Sequence, residues 1–291
     1  MAPRIHEKRF AESPAPPVRS RPRPLFTRIP GLGRALLRLF ILSLTLVEIS
    51  ARFLLLRLRL GSRLSLSDRA QWLHASCRLV LRRMGVRSTF RGPRPARGLV
   101  CANHLSYLDI AVCAAAAPCV FVSKREVKSW PAFGFFARCA GTIFLDRQSR
   151  TSADLASSEM AEALEAGVPV LLFPEGTSTD GSSVLRFHPT LLEPAIEKQL
   201  EIAPAAMSYR LRDGEERELC YYGNISFVPH LLRTLARSGI AAEVGFYPQP
   251  LVYSERKGAA LDLHDKVEAM RRLMKPGTPA PGETVTRDSV E

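Results

Sequence analysis

Lysine and acid are both nearly missing from the front of this chain. Residues 1 to 100 hold 21 Lys/Arg, of which only Lys8 is not arginine, against four acids (Glu7, Glu12, Glu48 and Asp68), a net of +17. The remaining 191 residues hold 20 against 24, so the overall charge of +13 is a local excess at the front. A nucleic-acid reader would place aromatics among its cations for stacking on bases. Here the interleaved residue is leucine (Leu36, Leu37, Leu39, Leu42, Leu44, Leu46, Leu54 to Leu56, Leu58 and Leu60), which points to an anionic membrane surface and excludes nucleic acid as partner. No long uncharged run is present: the longest near the front, Leu39 to Val47, is nine residues, where a span needs roughly 20 predominantly apolar ones. The six cysteines form no CxxC pair and no metal-ligand spacing, so neither a metal nor any other cofactor is expected. Residues 1 to 30 are Pro/Arg-rich and lack the apolar core of a secretory signal. With the unpaired cysteines, this favours the reducing, cytoplasmic face of the cell (inner) membrane. A nucleophile elbow of GxSxG form is also missing, which removes the ordinary serine hydrolase.

What is present divides the chain into four parts: a flexible basic tail (1–30), amphipathic membrane-associating helices (31–85), an α/β domain (86–275) and a disordered tail (276–291). Arg38, Glu48, Arg52, Arg57 and Arg59 interrupt the first apolar stretch. An interfacial helix, with leucines in acyl chains and arginines at headgroups, fits it better than a spanning one. Removing residues 1 to 60 would then release the protein from anionic vesicles and leave the α/β core folded. A second basic helix is expected at about 68–85, after a break at Gly61 and Ser62. Beyond residue 98 short apolar runs (99–102, 120–123, 142–145, 168–173, 202–208 and 242–247) alternate with helical segments (107–117, 132–139, 151–166, 184–198, 228–238 and 259–274). That alternation predicts an α/β fold with a mainly parallel sheet flanked by helices, its functional groups where strands end and helices begin.

Three motifs fall at such junctions. Asn103-His104-Leu105-Ser106-Tyr107-Leu108-Asp109 follows the first of these strands. On a regular helix His104 and Asp109 would point about 140° apart, so they meet only if His104 lies in the entering turn. A carboxylate accepting from one imidazole nitrogen would fix the tautomer and leave the other to take a proton. Phe173-Pro174-Glu175-Gly176-Thr177 follows a buried apolar strand, and its carboxylate and hydroxyl suit a polyol. Between them, Gly141-Thr142-Ile143-Phe144-Leu145-Asp146-Arg147 puts a guanidinium beyond a strand end, where it could clamp an anion. A metal hydrolase built on His104, Asp109 and Glu175 would have a single histidine with two acids, a thin zinc set.

The order of these blocks, followed by Ile202-Ala203-Pro204-Ala205-Ala206, resembles the glycerolipid acyltransferase family that includes 1-acyl-glycerol-3-phosphate acyltransferase, over roughly residues 80 to 250. The resemblance implies O-acyl transfer from acyl-CoA or an acyl carrier protein to a lysolipid hydroxyl, without a covalent enzyme intermediate. His104 would be the general base and Asp109 its orienting partner. Asn103, Arg147, Phe173, Pro174, Glu175, Gly176, Thr177 and Arg186 would hold the acceptor.

The chain departs from the phosphatidate-forming pattern at two cations. Ser178 stands where that pattern has Arg, and His188 where it has Lys. The continuation Thr177-Ser178-Thr179-Asp180-Gly181, with Tyr222-Gly223-Asn224 and Phe227-Val228-Pro229-His230, resembles the bacterial branch that acylates lyso-ornithine lipid. Lysophosphatidate is the family default and lyso-ornithine lipid its rival, with Arg186 able to restore one charge. A catalytically dead membrane-binding scaffold is the alternative of another class.

Overall fold

The computed structural model describes residues 31–274 apart from Pro131, Arg147 and Gln148. The expected basic tail 1–30, the expected tail 276–291 and the candidate Arg147 therefore lie outside the described residues.

The chain opens with two helices, α1 (Gly31–Leu60) and α2 (Leu66–Met84), separated by a 3-10 turn at Gly61–Arg63 where the break was expected. Helix α2 starts at a capping box, Ser65 and Asp68 each accepting the other's backbone N–H, and stops at Gly85 with φ +72°. The α/β part then runs β1 (Val86–Arg91), β2 (Leu99–Ala102), α3 (Leu108–Ala116), β3 (Val120–Lys124), α4 (Phe133–Cys139), β4 (Ile143–Leu145), α5 (Arg150–Glu165), β5 (Val170–Leu172), α6 (Glu193–Glu197), β6 (Ile202–Leu211), α7 (Phe227–Ala236), β7 (Ile240–Phe246) and α8 (Arg256–Met274). The seven strands form one sheet in the order β1-β7-β6-β2-β5-β3-β4. Every neighbouring pair is parallel except β6 with β7.

The sheet is covered on both faces, as near-continuous apolar strands require. Alternate residues divide between the two: Val100, Ala102, Phe121, Leu171 and Met207 pack towards α2 and α3. Leu99, Cys101, Val120, Val170 and Leu172 pack towards α5, α6 and α8. The carboxyl ends of β2 and β5 lie side by side, in register from Leu99↔Val170 to Cys101↔Leu172. That pairing carries the His104 and Glu175 motifs to one end of the sheet, although 71 positions separate those two residues.

Two local expectations change. The helix expected over 184–198 is shortened to a 3-10 turn at Pro189–Leu192 and the single α-turn of α6. Its first residues are held extended because Leu185 N–H is committed to Glu175 and His188 N–H to the Pro174 carbonyl. Strand β1 has no counterpart in the sequence reading. It is a half-exposed edge strand carrying Arg87 and Arg91, ordered by its pairing with β7, about 150 residues away.

Helix α1 is inverted relative to a soluble amphipathic helix. Its buried residues are Arg34, Ala35, Arg38, Thr45, Ile49 and Phe53. Leu32, Leu36, Phe40, Leu44, Val47, Leu54, Leu55 and Leu58 are exposed, and fall within an arc of roughly 140° on a helical wheel. Of the charges that interrupt the sequence, Arg38 and Glu48 turn towards the protein, whereas Arg52, Arg57 and Arg59 stay exposed. Arg38 donates to the carbonyls of Leu235 (3.0 Å) and Arg237 (2.6 Å), and Arg34 to that of Ala236, so the two close the carboxyl end of α7. Glu48 pairs with Arg83 at 2.6 Å as well as with Arg52. Arg38 thus corrects the expectation that this helix's arginines all meet headgroups: it is 2% exposed. By length and composition the helix is long and apolar enough to cross a membrane.

Helix α1 is also not an appendage. The Trp72 indole donates to the Ile49 carbonyl at 3.1 Å, and Phe53 packs on that ring at 4.8 Å between centroids. Helix α2 buries Trp72, Leu73, Cys77, Leu79 and Leu81 in the same core as α3. Of the two front helices, α1 alone keeps an extended apolar face in the open.

Candidate active site

His104 is the second residue after β2, and α3 begins four residues later at Leu108. The turn between them is built on Asp109. Its Oδ2 accepts the backbone N–H groups of Leu105 (2.6 Å) and Ser106 (2.9 Å) and faces His104 Nδ1 at 2.7 Å. The turn therefore bends back on its own carboxylate, which brings together two residues that a regular helix would separate. Asp109 is fully buried and its Oδ1 accepts the Tyr209 hydroxyl at 2.5 Å. Four donors on one desolvated carboxylate keep it an acceptor and fix the imidazole tautomer, so Nε2 is the nitrogen that can take a proton. Burial pushes the Tyr209 hydroxyl well above its usual range, the charge of Asp109 adding to the effect, so Tyr209 keeps its proton and donates it to the carboxylate.

The His104 ring is stacked on Phe173, with centroids 4.2 Å apart and an interplanar angle of 14°. Its side chain is 21% exposed, so the base reaches the surface from a packed seat.

Three residues assigned to the acceptor are bonded to backbone groups around the site. Glu175 lies beneath the site: Oε1 accepts the His104 N–H and Oε2 the Leu185 N–H, both at 2.7 Å. Burial pushes its carboxyl up to about 7, the two amide bonds pulling the other way. Through these two bonds Glu175 pins the His104 turn to the 185 loop. Asn103 is buried and exchanges two bonds with the Met207 backbone, donating at 3.3 Å and accepting at 2.7 Å. It fastens the start of the motif to β6. Pro174 is buried, and its carbonyl accepts the His188 N–H. Gly176 adopts φ +69°, which turns the chain outward and leaves Thr177 exposed. Arg186 is exposed next to the Leu185 that Glu175 holds.

The loop after Thr177 is tied down by bonds of its own. Ser178 donates its hydroxyl to the Tyr221 carbonyl, Tyr221 N–H donates to the Leu105 carbonyl at 2.8 Å, and Thr179 N–H donates to the His104 carbonyl at 3.0 Å. The segment around Tyr221 thereby lies against the His104 turn. Beside it, Tyr107 packs against Phe133, Tyr221, Phe227 and His230, and its hydroxyl lies 3.1 Å from His230 Nδ1. Trp130 and Phe133 at the rim of this group are more than one third exposed.

A family profile described as Acyltransferase matches residues 86–208, which contain both members of the His104–Asp109 pair. The lyso-ornithine lipid O-acyltransferase of Rhodobacter capsulatus is 38% identical over 187 residues, 62% of this chain and 67% of that protein. The chain belongs to the acyltransferase family. A Pseudomonas aeruginosa protein of the same name is 42% identical over 135 residues, 46% of this chain and 52% of that one. The 1-acyl-sn-glycerol-3-phosphate acyltransferase of Neisseria gonorrhoeae is 32% identical over 148 residues, 51% of this chain and 58% of the other. These matches span from about half to two thirds of the relatives' lengths. The fold is that of the crystal structure of the Thermotoga maritima 1-acyl-sn-glycerophosphate acyltransferase, with a TM-score of 0.65, 19% identity and coverage of 87% of this chain and 99% of that one.

Within this acyltransferase chain, sequence reasoning missed Tyr209. It lies one hundred positions from Asp109 on a strand whose apolar neighbours give no sign of a polar role. Asn103 and Glu175 carried a legible signal, since a carboxamide and a carboxylate at buried strand exits need partners; the sequence did not say that the partners are backbone amides.

Proposed function

We propose that this chain transfers a fatty acyl group from a thioester donor, acyl-CoA or acyl carrier protein, to the hydroxyl of a lysolipid at the cytoplasmic face of the cell membrane. The His104–Asp109 contact of 2.7 Å carries the reading, on a ring held flat against Phe173. In the reaction His104 Nε2 takes the proton of the acceptor hydroxyl while its oxygen attacks the thioester carbon. A C–O bond forms, the C–S bond breaks, and the proton passes from the imidazolium to the leaving thiolate. Asp109 remains ionised throughout and stabilises the charged ring. The exposed leucine stripe of α1 supports a seat at the bilayer surface, where acyl chains enter without crossing water.

For the acceptor we favour lyso-ornithine lipid. Ser178, standing where an arginine would meet a phosphomonoester, has its hydroxyl bound to the Tyr221 carbonyl, and His188 replaces the second cation. A phosphate wall stripped of two cations would bind a dianion weakly. Lysophosphatidate is the second reading, favoured by the exposed Arg186 beside the site. Purified full-length protein in mixed vesicles, given each lysolipid in turn with His104→Ala as control, tests both. Transfer to lyso-ornithine lipid alone is the expected outcome, with a drop of roughly 10² to 10⁴ in the variant. Equal rates for wild type and variant would remove the acyl-transfer reading.

A further inference from the structure

An ion pair between a buried arginine and a half-buried glutamate, used by no step above, links helix α8 to the catalytic turn. Arg271, in the last turn of α8, is 2% exposed. Its guanidinium forks onto Glu216, with Nη1 to Oε1 at 2.9 Å and Nη2 to Oε2 at 2.6 Å. The same two nitrogens reach further: Nη1 donates to the Met207 carbonyl at 2.8 Å and Nη2 to the Gly181 carbonyl at 3.1 Å. Glu216 Oε1 in turn accepts the Tyr209 N–H at 2.6 Å.

Each of these acceptors connects to the catalytic pair through one intervening residue. Met207 exchanges two bonds with Asn103, the residue before His104. Tyr209 donates to Asp109. Gly181 closes the loop whose Thr179 N–H holds the His104 carbonyl. The fit at Gly181 is tight: it adopts φ +82°, and a Cβ there would lie 2.6 Å from Arg271 Nη2. A guanidinium suits this place because it presents several donors in one rigid plane, whereas an ammonium is a point charge on a flexible stem.

We infer that Arg271, with Glu216, is a positioning residue for acyl transfer: it sets the β6 segment and the 177–181 loop that hold His104 and Asp109 in register with the acceptor. The inference rests on the acyl-transfer reading of the site. It concerns the chemical step, because a small displacement of a base lowers turnover.

The test is steady-state kinetics of the full chain in vesicles for Arg271→Met, Arg271→Lys and Glu216→Gln. His104→Ala and Arg272→Met serve as controls, Arg272 being the next residue on α8 and paired only at the surface with Glu268. Thermal unfolding is recorded for each. Arg271→Met should lose about 10- to 100-fold in kcat, with KM for the acyl donor changed by less than about threefold. Arg271→Lys should restore part of that loss and Arg272→Met should match wild type. Glu216→Gln keeps the size of the side chain and serves where Arg271→Met does not fold; its kcat should fall in the same direction. Wild-type kcat in folded Arg271→Met or Glu216→Gln overturns the assignment, as does a loss that follows the folded fraction alone. If wild type is no faster than His104→Ala, the acyl-transfer reading fails first, and the role of Arg271 with it.

Discussion

The Tyr209 hydroxyl donates to Asp109 Oδ1 at 2.5 Å, on the opposite side of the carboxylate from His104. The base is therefore oriented from two directions: by its own turn, and by a strand one hundred residues away.

Tyr209→Phe should keep the ring and lose that bond. A buried acceptor left without a donor costs about 1 to 3 kcal/mol, so the urea midpoint should fall by that equivalent. Turnover should fall as well, because one of the four donors that orient Asp109 against His104 is lost. An unchanged midpoint with unchanged kcat would mean that Tyr209 contributes nothing to the site.

The pH dependence of stability should carry the signature of Glu175. Its folded value is raised to about 7, so between the ordinary carboxylate range and about 7 the unfolded chain releases this proton while the folded one retains it. Its contribution is present in full at low pH and is lost as pH rises through that window, by on the order of 3 kcal/mol at most. Unfolding of wild type and Glu175→Gln at pH 5 and pH 8 checks it. The wild type should lose more stability than the variant between the two, and parallel changes would refute the assignment.

Arg38→Met should destabilise the whole domain rather than loosen an anchor. It leaves the Leu235 and Arg237 carbonyls without a donor that reaches them in the fold, at a cost of about 1 to 3 kcal/mol. For the same reason, removing residues 1 to 60 should unfold the α/β core, contrary to what composition suggested: Trp72 and the faces of α2 and α7 would lose their cover. A truncated protein that keeps its thermal midpoint would show that α1 is dispensable to folding.

Membrane attachment should instead respond to the outer face of α1. Replacing Leu36, Phe40, Leu44 and Val47 with serine removes apolar surface that is exposed in the fold. Sedimentation with anionic vesicles should fall by at least tenfold, since each large side chain contributes roughly 1.5 to 3 kcal/mol when fully buried, while thermal unfolding in detergent-free buffer should hold or improve. Undiminished sedimentation would move the attachment site elsewhere.

The alternation of apolar runs with helical segments was enough to read a parallel α/β sheet, because buried parallel strands need nothing more specific than continuous apolarity. His104, Asp109 and the Phe173–Thr177 turn were legible too, since ionisable residues and glycine at strand exits stand out against that background. Tertiary structure decided what those residues touch. Glu175 and Asn103 became struts because the partners of a buried polar group are backbone amides, which every residue carries and no sequence marks. Helix α1 was read correctly as leucine-rich and charged, but its orientation depended on the end of α7, two hundred positions on, which takes Arg34 and Arg38 inward and leaves the leucine stripe outside. Residue types are fixed one position at a time, whereas the partner that neutralises a buried charge exists only once distant segments have met.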